Sequence, residues 1–273
     1  MLKFLKREYN LQLRMKFKKQ IVLFILITLT LNSFSQSASE IFAEGKEYNY
    51  QVVFILNNGD TLTNEKMISL AKEEKWKYQA KQSVLEYKYF PDTVKLKEYI
   101  DPRSAFQARR IKNLKKKIRK KSWANYTWIE TTEITGMSVD SNVLFIHPPR
   151  DNQYAYHYMN AYPEVDFNKL IVGEEWIVKI PIMRGIPNNK EFVGTTINTF
   201  QVTEQLTTKF NEKTLDDCWR INITSVHSSK GETSAEYIFS ETHGFLKMNY
   251  VFYDGVKINY ILKDITINEN IID

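Results

Sequence analysis

The sequence predicts a mainly β protein built on antiparallel sheet, with a single basic helix as an excursion. Three observations carry this. From Glu47 onward, apolar and polar residues alternate with period two in one short run after another; turn residues separate the runs; and only residues 104–121 show helical spacing. Composition agrees with a packed globular chain: 273 residues, 43% hydrophobic and 26% charged, with a mean hydropathy of −0.42, which excludes a disordered or multi-span membrane protein. One Cys, nine Gly and seven Pro exclude a disulfide scaffold, a cysteine-built zinc cluster and a low-complexity chain.

The first element is an export signal. Met15 to Gln20 is short and basic, Ile21 to Leu31 is apolar apart from two Thr, and Asn32-Ser33-Phe34-Ser35 places small residues at the minus-three and minus-one positions of a cut before Gln36. Residues 1–35 are thus read as a signal peptide, with Met15 a better start than Met1 because residues 1–14 make an overlong basic region. The apolar run falls short of the roughly 20 residues that span a bilayer. No Cys stands near the cut, so the expected product is soluble, not a lipoprotein, and works in the periplasm or outside the cell. Cys218 is expected to be a buried small hydrophobe or to pair with another molecule.

Export changes the charge argument. Seven of the 38 basic residues and one of the 32 acidic residues lie in 1–35, which leaves 31 of each in residues 36–273. The whole-chain pI of about 9.0 is therefore no sign of nucleic-acid binding, and none is expected.

Residues 36–273 read as a single antiparallel β domain. Candidate strands are Tyr48–Leu56, Thr61–Leu70, Lys75–Lys81 and Val84–Phe90, then Tyr126–Ile134, Val143–His147 and Glu175–Ile182, and finally Glu191–Thr203, Cys218–Val226, Thr233–Ser240, Phe245–Phe252 and Val256–Ile265. In the last hairpin a two-residue Asp254-Gly255 turn would set Phe252 against Lys257. A three-residue loop of Tyr253, Asp254 and Gly255, with Gly255 left-handed, instead pairs Phe252 with Val256, Tyr250 with Ile258, Met248 with Tyr260 and Leu246 with Leu262, leaving one face wholly apolar or aromatic. Trp176, Val178, Ile180 and Ile182 make a second such face, and Trp219, Ile221 and Ile223 a third. Each must be covered by another layer, a helix or an apolar ligand.

The interruption is the basic segment 101–124. Between Asp101 and Glu130 there is no acid, while Arg103, Arg109, Arg110, Lys112, Lys115, Lys116, Lys117, Arg119, Lys120 and Lys121 are all basic. Ser104 can cap a helix, and Ala108, Ile111, Leu114 and Ile118 recur at spacings of three and four. Such a helix repels itself, so it needs a core or an anionic partner: either it is a solvated excursion, or Arg109, Arg110, Lys112, Lys115, Lys116, Lys117, Arg119, Lys120 and Lys121 meet an anionic membrane, lipopolysaccharide or an acidic protein.

Candidate ligand residues are His147, Arg150, Tyr154, Tyr156, Tyr158, Trp176, Trp219 and Tyr250. The two prolines of His147-Pro148-Pro149-Arg150 close a strand, and Arg150 can take a carboxylate or phosphate bidentately, or pair with Asp151 or Glu164. Tyr154, Tyr156 and Tyr158 share a face if the segment is extended, as an aromatic rim for a ligand or as a half-buried edge. His147, His157, His227 and His243 show no metal-ligand spacing, and no nucleophile elbow, phosphate loop or dinucleotide fingerprint appears, so no catalytic residue, metal or cofactor is expected.

The run Glu130-Thr131-Thr132-Glu133-Ile134-Thr135-Gly136, then Phe145 to Arg150, Pro163-Glu164-Val165 and Gly173-Glu174-Glu175-Trp176, resembles a group of uncharacterised exported proteins of Gram-negative bacteria. The closing stretch from Gly244-Phe245-Leu246-Lys247 through Asp254-Gly255 looks like the end of periplasmic domains of unknown function whose sheets curve into a half-barrel, as in periplasmic lipoprotein carriers. The likeness covers roughly residues 125–265, and it implies one large curved antiparallel sheet, a half-barrel or open barrel, and no catalytic residue. Together these readings predict an exported, non-enzymatic envelope protein that binds an apolar or amphiphilic ligand, or a lipidated partner, on a curved sheet. The alternative is an interaction or scaffold module using residues 103–121, and a hydrolase with an unrecognised site comes third.

Overall fold

The computed structural model describes residues 40–90, 131–140, 142–150, 152–183 and 192–267. The signal peptide and the basic segment lie outside the described residues. Among the described residues, twelve strands form one antiparallel sheet: β1 Lys46–Ile55, β2 Thr61–Lys75, β3 Ser83–Phe90, β4 Thr131–Val139, β5 Val143–Ile146, β6 Glu164–Asp166, β7 Glu175–Ile182, β8 Gly194–Phe210, β9 Lys213–His227, β10 Gly231–Ser240, β11 Gly244–Val251 and β12 Lys257–Ile267. Their order, β6-β5-β4-β3-β2-β1-β12-β11-β10-β9-β8-β7, is two six-stranded meanders joined where β1 pairs with β12. It is the order of an up-and-down barrel opened between β6 and β7.

The predicted curved sheet is therefore observed, and the last hairpin has the predicted register. Tyr250 pairs with Ile258 and Met248 with Tyr260, the Phe252 N–H donates to the Val256 carbonyl at 2.8 Å, and Gly255 has φ +83°. Other ends differ. Lys75–Lys81 is not a strand, since β2 runs without a break from Thr61 to Lys75 and residues 76–82 turn the chain into β3, closed by the Trp76 N–H on the Gln82 carbonyl at 2.8 Å. β8 and β9 run on past the predicted boundaries, to Phe210 and from Lys213, because Asn211 and Glu212 (φ +45° and +66°) form a two-residue turn whose twist suits a hairpin.

Alternation puts one side of each strand inward. In β9 and β12 every second residue is buried over most of the length, and residues from both meanders join a single core. Inside the curl lies a layer that the sequence does not announce. Residues Asn152–Met159 form a 3-10 helix, so the expected extended Tyr154, Tyr156 and Tyr158 face is corrected here. The physical reason is hydrogen bonding: a chain crossing the interior has no free strand beside it, and its peptide groups must be satisfied within its own turn. Tyr154, His157, Met159, Asn160 and Ala161 are fully buried there, as core rather than rim.

Candidate ligand site at the crossing segment

After β5, Pro148 and Pro149 lift the chain off the sheet, and three hydrogen bonds anchor the departure. The His147 N–H donates to the Gly136 carbonyl (2.9 Å), while its own carbonyl accepts from Tyr87 Oη (3.0 Å) and Thr135 Oγ1 (3.1 Å). One residue pair further along, both carboxylate oxygens of Glu133 accept the Arg150 backbone N–H at 3.0 Å, and Tyr89 Oη donates to the same carboxylate. On the far side, Asn160 Nδ2 donates to the Ser234 carbonyl, the Ala161 N–H to Ser225 Oγ and Tyr237 Oη to the Ala161 carbonyl. Residues 147–150 and 152–161 thus reach from β3–β4 to β9–β10 as a strap, and the chain returns to β5 at Pro163, whose carbonyl accepts the Ile146 N–H at 2.9 Å.

The strap and the inner sheet face enclose aromatic and titratable groups. His157 Nε2 lies 2.6 Å from Tyr260 Oη, and its ring packs edge-on to Tyr250 at 4.6 Å. Burial, reinforced by the charge of Arg150, pushes the pKa of His157 and of His147 down to about 3, so both are neutral at physiological pH. His147 sits among Trp76, Phe145 and Tyr162 with neither ring nitrogen hydrogen-bonded, and His157 Nδ1 is likewise without a partner. Arg150 is half-buried, its guanidinium 5.4 Å from the Tyr158 ring centre and 5.7 Å from that of Tyr162.

A cavity of about 20 Å³ lies between the sheet and the strap, with Tyr50, Tyr87, Tyr250 and Tyr260 on one side and Pro148, Pro149 and Pro163 on the other. That volume admits roughly one water molecule and no acyl chain.

Of the residues singled out from sequence, the fold brings His147, Arg150 and Tyr158 together and puts Tyr250 on the cavity wall. Tyr154 lies deeper, its ring 4.8 Å from Tyr89 and 5.4 Å from Phe54. Tyr156 belongs to the 3-10 helix. Trp176 and Trp219 stand apart from this group: Trp176 stacks on Phe200 at 4.9 Å, and Trp219 Nε1 donates to Glu241 Oε1 at 2.8 Å. Arg150 makes no side-chain ion pair with Glu164, and Asp151 lies outside the described residues. Sequence reading did not single out Glu133, buried in β4, or Tyr162, buried at the end of the strap, as members of the site. Cys218 is a free thiol, fully buried, and burial together with Asp217 pushes its pKa up to about 12. Among the described residues no three His, Cys, Asp or Glu side chains gather as metal ligands, and no helix is long and apolar enough to cross a membrane.

No family model and no curated protein matches the chain. Among solved structures, it is similar to a Bacteroides fragilis protein described as exported and of YmcC-like fold, at 8% identity over 82% of this chain and 96% of that one, with a TM-score of 0.39. It is also similar to a Parabacteroides distasonis protein described as a lipoprotein, at 12% identity over 83% and 97%, with a TM-score of 0.36. Both superpositions are loose, and nothing about this chain's activity follows from either.

Proposed function

We propose that this is an exported, non-enzymatic envelope protein that binds an amphiphilic ligand or a lipidated partner at the Arg150 end of the rolled sheet. The observation that supports the reading is the coincidence there of an aromatic inner face with a half-buried cation and several unpartnered polar atoms. Apolar walls with a few polar groups are what an amphiphile needs. The closed interior adds a condition: a chain can enter only if the strap yields, so the resting form binds weakly and by the head group first.

Native mass spectrometry of the protein purified from its own envelope, with organic extraction of any adduct, tests this. A stoichiometric lipid-like adduct is the expected result. A clean mass together with no binding of added lipid in solution would overturn it.

A second reading is favoured by a different surface. Ile177, Ile197 and Val226 point outward on β7, β8 and β9, are 68%, 45% and 48% exposed, and Ile197 and Val226 are direct cross-strand partners beside the sheet edge. Such an outward apolar strip suits a protein partner in a scaffold role. If the basic segment is what recruits that partner, its binding falls steeply with added salt.

A further inference from the structure

Among the described residues Arg150 makes no direct ion pair, and the charge of Glu133 reaches it only through space. Arginine stays protonated at any physiological pH, and burying its charge is costly unless an anion or full hydrogen bonding compensates. Glu133, in the strap's anchor, accepts the Arg150 backbone N–H and the Tyr89 hydroxyl. Among the described residues, the ion pairs involve Lys72, Lys88 and Arg220, and none involves Arg150. Arg150 Nε is buried and has no acceptor.

What the guanidinium does have is two tyrosine rings. Tyr158 and Tyr162 lie 5.4 and 5.7 Å from it; the ring faces attract the charge, the Tyr162 hydroxyl is close enough to take one N–H, and Nε stays without an acceptor. Tyr158 and Tyr162 are themselves 5% and 6% exposed, so the guanidinium is held by parts of the core while Arg150 keeps a side in solvent. Rings on the faces and open donors at the edge are the arrangement in which a guanidinium grips two oxygens in parallel.

We propose that Arg150, clamped by Tyr158 and Tyr162, is the binding site for a single oxyanion group, a phosphate or carboxylate carried by the protein's ligand. The inference rests on the ligand reading above for the molecule that bears the group, and it names that molecule's head. His147 adds a neutral ring close enough to feel the Arg150 charge, and whichever of its two unpartnered nitrogens carries the N–H can donate to an oxygen.

The test is calorimetric titration of the envelope-purified protein with inorganic phosphate and with acetate, at constant ionic strength. Parallel binding runs use vesicles of phosphatidylcholine with and without phosphatidylglycerol. Saturable binding of phosphate or acetate is expected, weakened at least about tenfold in Arg150→Met and less in Arg150→Lys, which keeps the charge but loses the planar fork. Equal binding by wild type and Arg150→Met, or no saturable binding of any probe, overturns the proposal. Should Arg150→Met fail to fold, the wild type decides: phosphate must slow phenylglyoxal modification of Arg150, read by mass spectrometry, and no protection sinks the idea. Phosphate binding without vesicle binding keeps the oxyanion site and removes the amphiphile; binding only to phosphatidylglycerol vesicles, lost in the variant, identifies a lipid head group.

Discussion

The two meanders, β1–β6 and β7–β12, have the same strand number and opposite characters. In the second, β8 and β9 run 17 and 15 residues, and the alternation of buried and exposed residues in β9 holds nearly throughout. In the first, β5 and β6 have four and three residues, β2 breaks register with β3 between Lys72 and Lys75, and the chain leaves the sheet at Pro148. The inner polar groups follow that difference. Glu133, His147, Arg150 and His157 belong to the irregular half or to the strap it feeds. The regular half buries short polar side chains such as Thr196, Asn198 and Ser225. A regular ladder satisfies its own backbone and leaves little for side chains to do. Where the ladder stops, carboxylates, hydroxyls and histidines take over its hydrogen bonding.

The largest test of this contrast is Ile221→Ala. Ile221 is fully buried at the centre of β9, paired with Tyr237 on one side and Val202 on the other, and truncation should cost about 2–5 kcal/mol in urea unfolding. A loss below about 1 kcal/mol would mean that the regular half is not the rigid one.

Next is Gly136→Ala in β4. A Cβ there would lie 2.2 Å from Gln82 Oε1 and 2.4 Å from Trp76 Cε3, so the indole must move off the strand, at about 1–3 kcal/mol. Trp76 also packs against His147, at 4.8 Å between ring centres, and Trp fluorescence should change with stability. An unchanged emission spectrum would break the link between this strand and the strap.

Two glutamates of the first meander should respond to pH in opposite directions. Burial, with Asp166 adding to it, raises Glu164 from 4.5 to about 7, while Trp176 on the opposite sheet edge opposes the rise. Between about pH 4.5 and 7 the folded state then holds a proton that the unfolded state has released, so stability falls as pH rises through that window and levels off above it. Burial works against the charge of Glu86, yet Lys72 at 2.6 Å and Lys88 at 3.2 Å hold its pKa below the ordinary value. Its contribution is present at neutral pH and is lost on acidification. Glu164→Gln should flatten the fall toward neutral pH and leave the acid limb in place; superimposable pH profiles for variant and wild type would refute the assignment.

The smallest effect is expected at the β8–β9 turn. Glu212 at φ +66° is strained for a side-chain-bearing residue, so Glu212→Gly should gain a few tenths to about 1 kcal/mol, visible as a slightly higher Tm. A loss would show that the Glu212 side chain contributes more than its backbone strain costs.

Much of the sheet was legible in the sequence because local chemistry encodes it. Alternation named eleven of the twelve strands at least in part, and the face argument for Phe252 and Val256 set the last register, since a one-residue slip would expose every apolar side chain. Periodicity says which side of a strand is apolar, but nothing about what will cover that side. That was decided by tertiary structure: two meanders closing through the β1–β12 pair and the chain after Pro149 turning inward. Tyr154, Tyr156 and Tyr158 alternate as a strand would, yet an interior crossing with no neighbouring ladder had to satisfy its own peptide groups, and became a 3-10 helix. The same crossing set Arg150 against Tyr158 and Tyr162 while Glu133 was committed to the backbone. No spacing in the sequence records that arrangement, because it depends on which groups the closed sheet leaves facing one another.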